Sequence, residues 1–186
     1  ARAGTATGSS RGHRARLPDD TATAMKNRLA AYHKLCEVFG ALPEPEAMNV
    51  DHGRKRYLIY RIDSLDKRSG CNAPALAYVD SPLAKATVPS RFTMAGWAFK
   101  DGAGLSKVEV TIDGVVVATA DYGQAMPNVA EYWRISNDPH QPDVGFKAEV
   151  DASAFSPGMH WLGLRLHGVD GTVEQWAEQP IRIVPP

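Results

Sequence analysis

The chain has 186 residues, with 21 lysines and arginines against 21 aspartates and glutamates. That length suits a domain of ordinary size with a smaller piece attached, and a formal charge of zero supplies no field to draw in nucleic acid or an anionic membrane surface. As written, the sequence shows neither an apolar run long enough to span a membrane nor a charged-then-apolar leader, so the expectation is a soluble chain.

Residues 1–17 are rich in Gly, Ser, Thr and Arg and offer almost nothing to bury, which reads as a tail or linker. The first residue is Ala1 and the opening is small and polar, so the expectation is a piece cut from a longer protein. Residues 18–74 then form a helix-plus-hairpin element. Pro18-Asp19-Asp20 starts the helix, and Met25, Leu29, Tyr32, Leu35, Cys36 and Phe39 recur at steps of three and four, placing them on one face. Gly40 closes it. Pro43 and Pro45 separate the helix from a hairpin in which 47–50 pairs with 57–62 around Asp51-His52-Gly53. An element this small is seldom stable alone, so it should dock on a neighbour.

From residue 75 to 186 the texture is all-β, with short apolar runs punctuated by Gly, Pro, Asp and Asn. Strands are expected at 76–79, 91–99, 106–112, 115–121, 145–150, 160–166, 172–175 and 181–184, a count that suits an antiparallel β-sandwich. Asp113-Gly114 and Asp170-Gly171 are turn pairs that accept positive φ, and each predicts a hairpin. Val108, Val110 and Ile112 alternate with Lys107, Glu109 and Thr111, and Leu162, Leu164 and Leu166 alternate with Trp161, Gly163 and Arg165. Each strand thus has one buried and one wet face. Residues 122–144 break this rhythm with three prolines, and a helical turn near 129–132 would interrupt them.

Gly96-Trp97-Ala98, the run from Val108 to Gly114, Tyr122-Gly123, Gly145-Phe146, Pro157-Gly158-Met159-His160 and Asp170-Gly171 together resemble the bacterial immunoglobulin-like modules appended to secreted and cell-envelope proteins. The resemblance implies an immunoglobulin-like sandwich outside the cytoplasm and leaves function open. The inter-sheet cysteine pair of antibody domains is missing, since Cys36 and Cys71 both precede the sandwich. Upstream, Tyr32-His33-Lys34-Leu35-Cys36 and Tyr57-Leu58-Ile59-Tyr60-Arg61-Ile62 look like the extracytoplasmic tail of a membrane glycosyltransferase that uses a lipid-linked sugar. Such enzymes keep their catalytic acids in the membrane half, so no catalytic role is carried over.

Candidate chemistry is sparse. His13, His33, His52, His140, His160 and His167 are scattered without metal-ligand spacing, and no Gly-x-Ser-x-Gly elbow accompanies the serines. Asp101-Gly102-Ala103-Gly104 lacks the lysine of a phosphate loop and reads as a turn. Asp80, Asp101, Asp113, Asp151 and Asp170 recur near strand ends, where they could converge on calcium, although Asp is also a favoured turn residue. No metal, cofactor or catalytic residue is assigned. Cys36 and Cys71 either stay separate or pair, and the compartment decides; an extracytoplasmic setting makes the disulfide the expectation.

Aromatic residues are the feature with a function attached, because an exposed ring stacks on the apolar face of a sugar. Trp97, Trp161 and Trp176 read as packing residues. Tyr122, Tyr132, Trp133 and Arg134 lie in or beside the long loop and are the ligand candidates, although Trp133 folded back as a plug is the preferred reading. The expectation is a non-catalytic accessory or interaction module of a bacterial envelope or secreted protein, meeting a protein or glycan surface and no nucleic acid. Its alternatives are a carbohydrate-binding module and a glycosyltransferase tail, and the oligomeric state is not read from the sequence.

Overall fold

The computed structural model describes residues 17–39, 45–52, 55–60 and 73–185. Residues 1–16, Gly40, Pro43, Gly53, Arg61-Ile62 and Cys71, all used in the sequence reading, lie outside them. Helix α1 spans Leu17–Phe39, with Pro18 in its first turn, where a missing N–H costs no hydrogen bond. Leu29 and Tyr32 are buried and Leu35 and Cys36 half-buried on one face, as the spacing predicts. Lys34 and Glu37 pair at 2.8 Å on the wet side. Strands β1 (Pro45–His52) and β2 (Lys55–Tyr60) form a separate antiparallel pair. Its ladder reaches His52↔Lys55, so Asp51 and His52, expected in the turn, are strand residues, and Pro45 opens the strand it was expected to precede.

The sandwich contains β3 (Leu76–Ser81), β4 (Thr87–Val88), β5 (Arg91–Phe99), β6 (Leu105–Ile112), β7 (Val115–Thr119) and β8 (Asp121–Gln124). Helix α2 (Pro127–Tyr132) follows, then β9 (Gly145–Asp151), β10 (Gly158–Gly168) and β11 (Val173–Ile183). One sheet runs β3-β5-β9-β8 and the other β4-β11-β10-β6-β7. In immunoglobulin lettering these are A-B-E-D and A′-G-F-C-C′, so the strand order itself establishes an immunoglobulin-like sandwich.

Three expectations change. The run 115–121 is two strands in different sheets: the chain crosses at buried Ala120, whose N–H donates to Val108 O at 2.9 Å. Strands expected at 172–175 and 181–184 are instead one, with a bulge between Trp176 and Gln179 opposite Leu162–Leu164; Pro180 made a break look necessary. Short β4, joined in parallel to β11, gave no sequence signal.

Asp113 and Gly114 have φ of 50° and 78°, the paired positive values of a tight hairpin. At the other turn only Gly171 is left-handed, at 82°. There Gly168 N–H donates to Thr172 O and Gly171 N–H to Gly168 O, closing a four-residue loop where a two-residue turn was expected.

Val108, Val110 and Ile112 meet Leu162, Leu164 and Leu166 between the sheets, together with Met94 and Phe146. Gly96 permits the close approach of β3 to β5: a Cβ there would lie 2.1 Å from Tyr78 O and 3.0 Å from Phe146 Cζ. A second core lies outside the sandwich. Trp97 and Phe99, on the opposite face of β5 from Met94 and Ala98, are buried with Leu29 and Tyr32 of α1, Val129 of α2, Trp133 and Val144. The helix element therefore docks on the outer face of the four-stranded sheet. The space between the sheets is filled without α1; this outer cluster is not.

Candidate functional site

Trp133 sits at the centre of the second core, 2% exposed. Its ring lies 5.7 Å from Trp97 and 5.3 Å from Phe99 between centroids, in the tilted and edge-on arrangements that aromatic quadrupoles favour. It is a plug. Tyr132, beside it, is open to solvent, with the Lys26 ammonium of α1 4.6 Å above its ring centroid. Arg134 is exposed. The sequence grouping of Tyr122, Tyr132, Trp133 and Arg134 is thus dispersed: one is interior, two are surface residues and Tyr122 belongs to a different place.

Immediately after Phe99, the last residue of β5, come two buried charged residues, Lys100 and Asp101. The Lys100 ammonium meets the Glu174 carboxylate and lies 3.8 Å from Asp170. Glu174 also accepts from Ala75 N–H at 2.8 Å. Asp101 accepts from Ser136 Oγ at 2.9 Å and from Asn137 N–H, and its other oxygen is 2.6 Å from His33 Nε2 on α1. Asp138 accepts from the backbone N–H groups of Lys100 and His140, each at 2.7 Å. Burial pushes the Asp138 carboxyl above the usual carboxylate range, against the pull of those two donors. These groups fasten the β5–β6 turn, the loop after α2, the β10–β11 hairpin and α1 to one another. Asp101-Gly102-Ala103-Gly104 is a turn, closed by Gly104 N–H to Lys100 O at 2.7 Å.

Beside this cluster opens a cleft of about 440 Å³ between the start of β6, β8, the loop 139–143 and the β10–β11 turn. Its wall includes Leu105, Ser106, Tyr122, His140, Gln141 and Asp143. Tyr122 stands edge-on to His140, with centroids 6.1 Å apart, and its hydroxyl donates to Ala98 O at 3.0 Å. Burial raises the Tyr122 pKa strongly, with the Asp138 charge adding to it. Both polar atoms of the Gln141 amide are sealed from solvent without a hydrogen-bond partner, and the likewise buried Nδ1 of His140 faces Asp138 Oδ1 at 3.7 Å, beyond hydrogen-bond reach. An unpaired buried polar group costs about 1–3 kcal/mol, which makes this loop a place where the fold is not at its own optimum. Pro139, His140 and Pro142 announce a loop in sequence, but nothing local placed it against β8.

Strand directions divide the five aspartates. Asp101 and Asp170 lie at the pole of Lys100, Asp113 and Asp151 at the opposite end, and Asp80 level with Ala95 and Gly96 near the middle of β5. They therefore do not converge, and among the described residues no group of three or more His, Cys, Asp or Glu is placed to hold a metal ion. Asp151 instead accepts from Ser153 N–H at 2.9 Å and pairs with Arg91 at 3.1 Å. Asp113 accepts from Trp161 N–H at 2.8 Å and lies 2.7 Å from His160 Nδ1. That contact, with Ser156 O on the other ring nitrogen, raises the His160 pKa. For Asp113, burial alone would raise the pKa, but His160 and the Trp161 amide outweigh it and hold the carboxyl low.

Sequence reasoning missed Trp161. Read as a packing residue, it is 52% exposed on the outer face of β10, with Met159 at 54% on the same side. Its alternation with the buried leucines was a usable signal for an outward ring. No helix among the described residues is long and apolar enough to cross a membrane.

No family model matches the chain, and no curated protein does. Solved structures it resembles include the fibronectin(III)-like modules of Clostridium thermocellum CbhA, at 13% identity over 60% of this chain and 47% of that one, with a TM-score of 0.40. The endo-β-1,4-mannanase from Thermotoga petrophila is 11% identical over 61% of this chain and 20% of that one, TM-score 0.41. The SrpA adhesin of Streptococcus sanguinis is 8% identical over 61% and 60%, TM-score 0.35. This chain therefore spans less than half the length of the first two. At these values the likenesses carry no argument about function, and nothing in them supports the likeness to a glycosyltransferase tail.

Two outcomes are expected. Trp133→Ala removes the plug and should lower stability by about 3–5 kcal/mol, read by urea or thermal unfolding. A raised His160 pKa means that the fold holds this proton more tightly than the unfolded chain does. Its contribution is complete below the ordinary value of 6.5 and is lost as pH rises through the raised one. The melting temperature should fall across that window, and Asp113→Asn should flatten the fall.

Proposed function

We propose that this chain is a non-catalytic accessory module of a bacterial envelope or secreted protein, working outside the cytoplasm, with its interaction surface on the outer face of the five-stranded sheet. The observation that carries the reading is the inequality of the two outer faces. On the four-stranded sheet the apolar end of the outer face, at Trp97 and Phe99, is covered by α1 and the loop around Trp133 and the rest carries the polar Arg91, Thr93, Lys147, Glu149 and Asp151, whereas the five-stranded sheet leaves Trp161 and Met159 about half in water. Large apolar side chains that the core does not use mark contact surfaces when they gather on one face. The buried ionic groups Lys100, Asp101 and Asp138 support the same reading, because each has partners that hold loops in place.

Cys36 is disulfide-bonded, which supports an oxidising compartment. Its expected partner, Cys71, is the other cysteine of the chain and lies outside the described residues. Intact-mass measurement of non-reduced protein, with and without alkylation, should find no free thiol; the bond would stabilise by about 3–4 kcal/mol on the chain-entropy account. Two alkylated thiols in native protein would remove this support.

A glycan is the partner we infer for this face, since the exposed Trp161 indole, with Met159 beside it and Pro180 and the exposed Arg182 on the paired strand β11, offers a ring to the apolar face of a sugar and a guanidinium to its hydroxyls. Trp161→Ala should leave the melting temperature nearly unchanged and abolish retention on an insoluble polysaccharide that the parent binds. Unchanged retention would move the binding surface elsewhere.

A further inference from the structure

The geometry points to a second site: the cleft between β6, β8 and the loop 139–143 is a pocket for one uncharged sugar unit. It stands apart from the Trp161 face and does not rest on it. Several observations converge. Its volume, about 440 Å³, falls in the range of small-ligand pockets. The wall mixes apolar surface from Leu105, Tyr122, Pro139 and Val169 with the polar side chains of Ser106, His140, Gln141 and Asp143, the two kinds of surface that the C–H face and the hydroxyl rim of a sugar require.

Charge selects the class of ligand. Asp143 contributes a carboxylate to the wall, Asp138 lies directly behind His140, and neither lysine nor arginine lines the cleft. A phosphate or a uronic acid would meet the Asp143 carboxylate with only the His140 imidazole, itself 3.7 Å from Asp138, to oppose it, whereas a neutral polyol meets no repulsion. Gln141 selects the chemistry within that class. Its amide offers a donor and an acceptor side by side, neither of them satisfied by the protein, and vicinal hydroxyls answer such a pair. Gln141 lines the cleft and the terminal torsion of a glutamine side chain is broad and soft, so binding requires the sealed amide to turn outward. A ligand hydroxyl there relieves an orphan that the fold otherwise keeps.

The decisive experiment is a 15N-resolved NMR titration of the whole chain with N-acetylglucosamine and with cellobiose, using glucuronate as the charged control. Saturable shifts confined to 105–106, 122–123 and 139–143 are expected for a neutral sugar, together with a shift of the Gln141 side-chain NH2, and weaker binding of glucuronate. Gln141→Leu should weaken binding by at least about tenfold while leaving the melting temperature unchanged or higher, because it removes the orphan amide. The shift map of the parent chain decides the question even if that variant misfolds. Absence of saturable shifts with either neutral sugar would overturn the proposal. Shifts confined to the Trp161 indole and its sheet face would also overturn it, while leaving the sheet-face reading intact.

Discussion

Burial of Trp97 and Phe99 on the outer face of the four-stranded sheet is the constraint on which the rest of the structure depends. Both project away from the space between the sheets, and the two-sheet core gives them no shelter. Aromatic side chains of this size each bury about 150–250 Å², a contribution of several kcal/mol that is lost if they face water. The helix α1, the short helix α2 and Trp133 close over them. The helix-plus-hairpin segment is thus more than an appendage, because its α1 is one wall of a second core.

That closure dictates the polar chemistry at the end of β5. The two residues after Phe99 are Lys100 and Asp101, and both are buried, Asp101 against α1 and the loop after α2 and Lys100 against the β10–β11 hairpin. Buried charges are tolerated only when paired and hydrogen-bonded, and here the partners come from α1, from the loop after α2 and from the β10–β11 hairpin. Each covering element is consequently tied at a polar point as well as packed at an apolar one. Hydrogen bonds of this kind contribute modestly to net stability but specify which loop lies where.

With the Trp97–Phe99 end of one sheet face covered and one pole tied down, recognition is proposed for two surfaces: the open face of the five-stranded sheet, and the cleft where the loop 139–143 leaves polar atoms unanswered. A rigid sandwich that presents binding groups from one face or from its connecting loops is the usual division of labour between scaffold and site. The inversion of the tryptophans follows from the same division. Trp133, in the loop where function was expected, is buried in the second core; Trp161, in a regular strand where packing was expected, is half in water.

Much of the fold was legible in the sequence because its signals are local. Alternation in Val108, Val110, Ile112 and in Leu162, Leu164, Leu166, the Asp113-Gly114 turn and the three-four spacing along α1 each depend on residues a few positions apart. The continuous apolar run from Met94 to Phe99 also carried a sign that β5 is covered on both faces. What tertiary structure alone decided was everything that joins distant segments. Whether 115–121 is one strand or two was set by which sheet could accept Tyr122, and whether Pro180 breaks a strand was set by a bulge opposite β10. Whether a tryptophan is plug or platform was set by α1, which lies far upstream of the Trp97, Phe99 and Trp133 that it helps to cover. Sequence periodicity reports which side of an element is apolar. It does not report what comes to cover that side, since the covering element is chosen by the free energy of the whole packed arrangement.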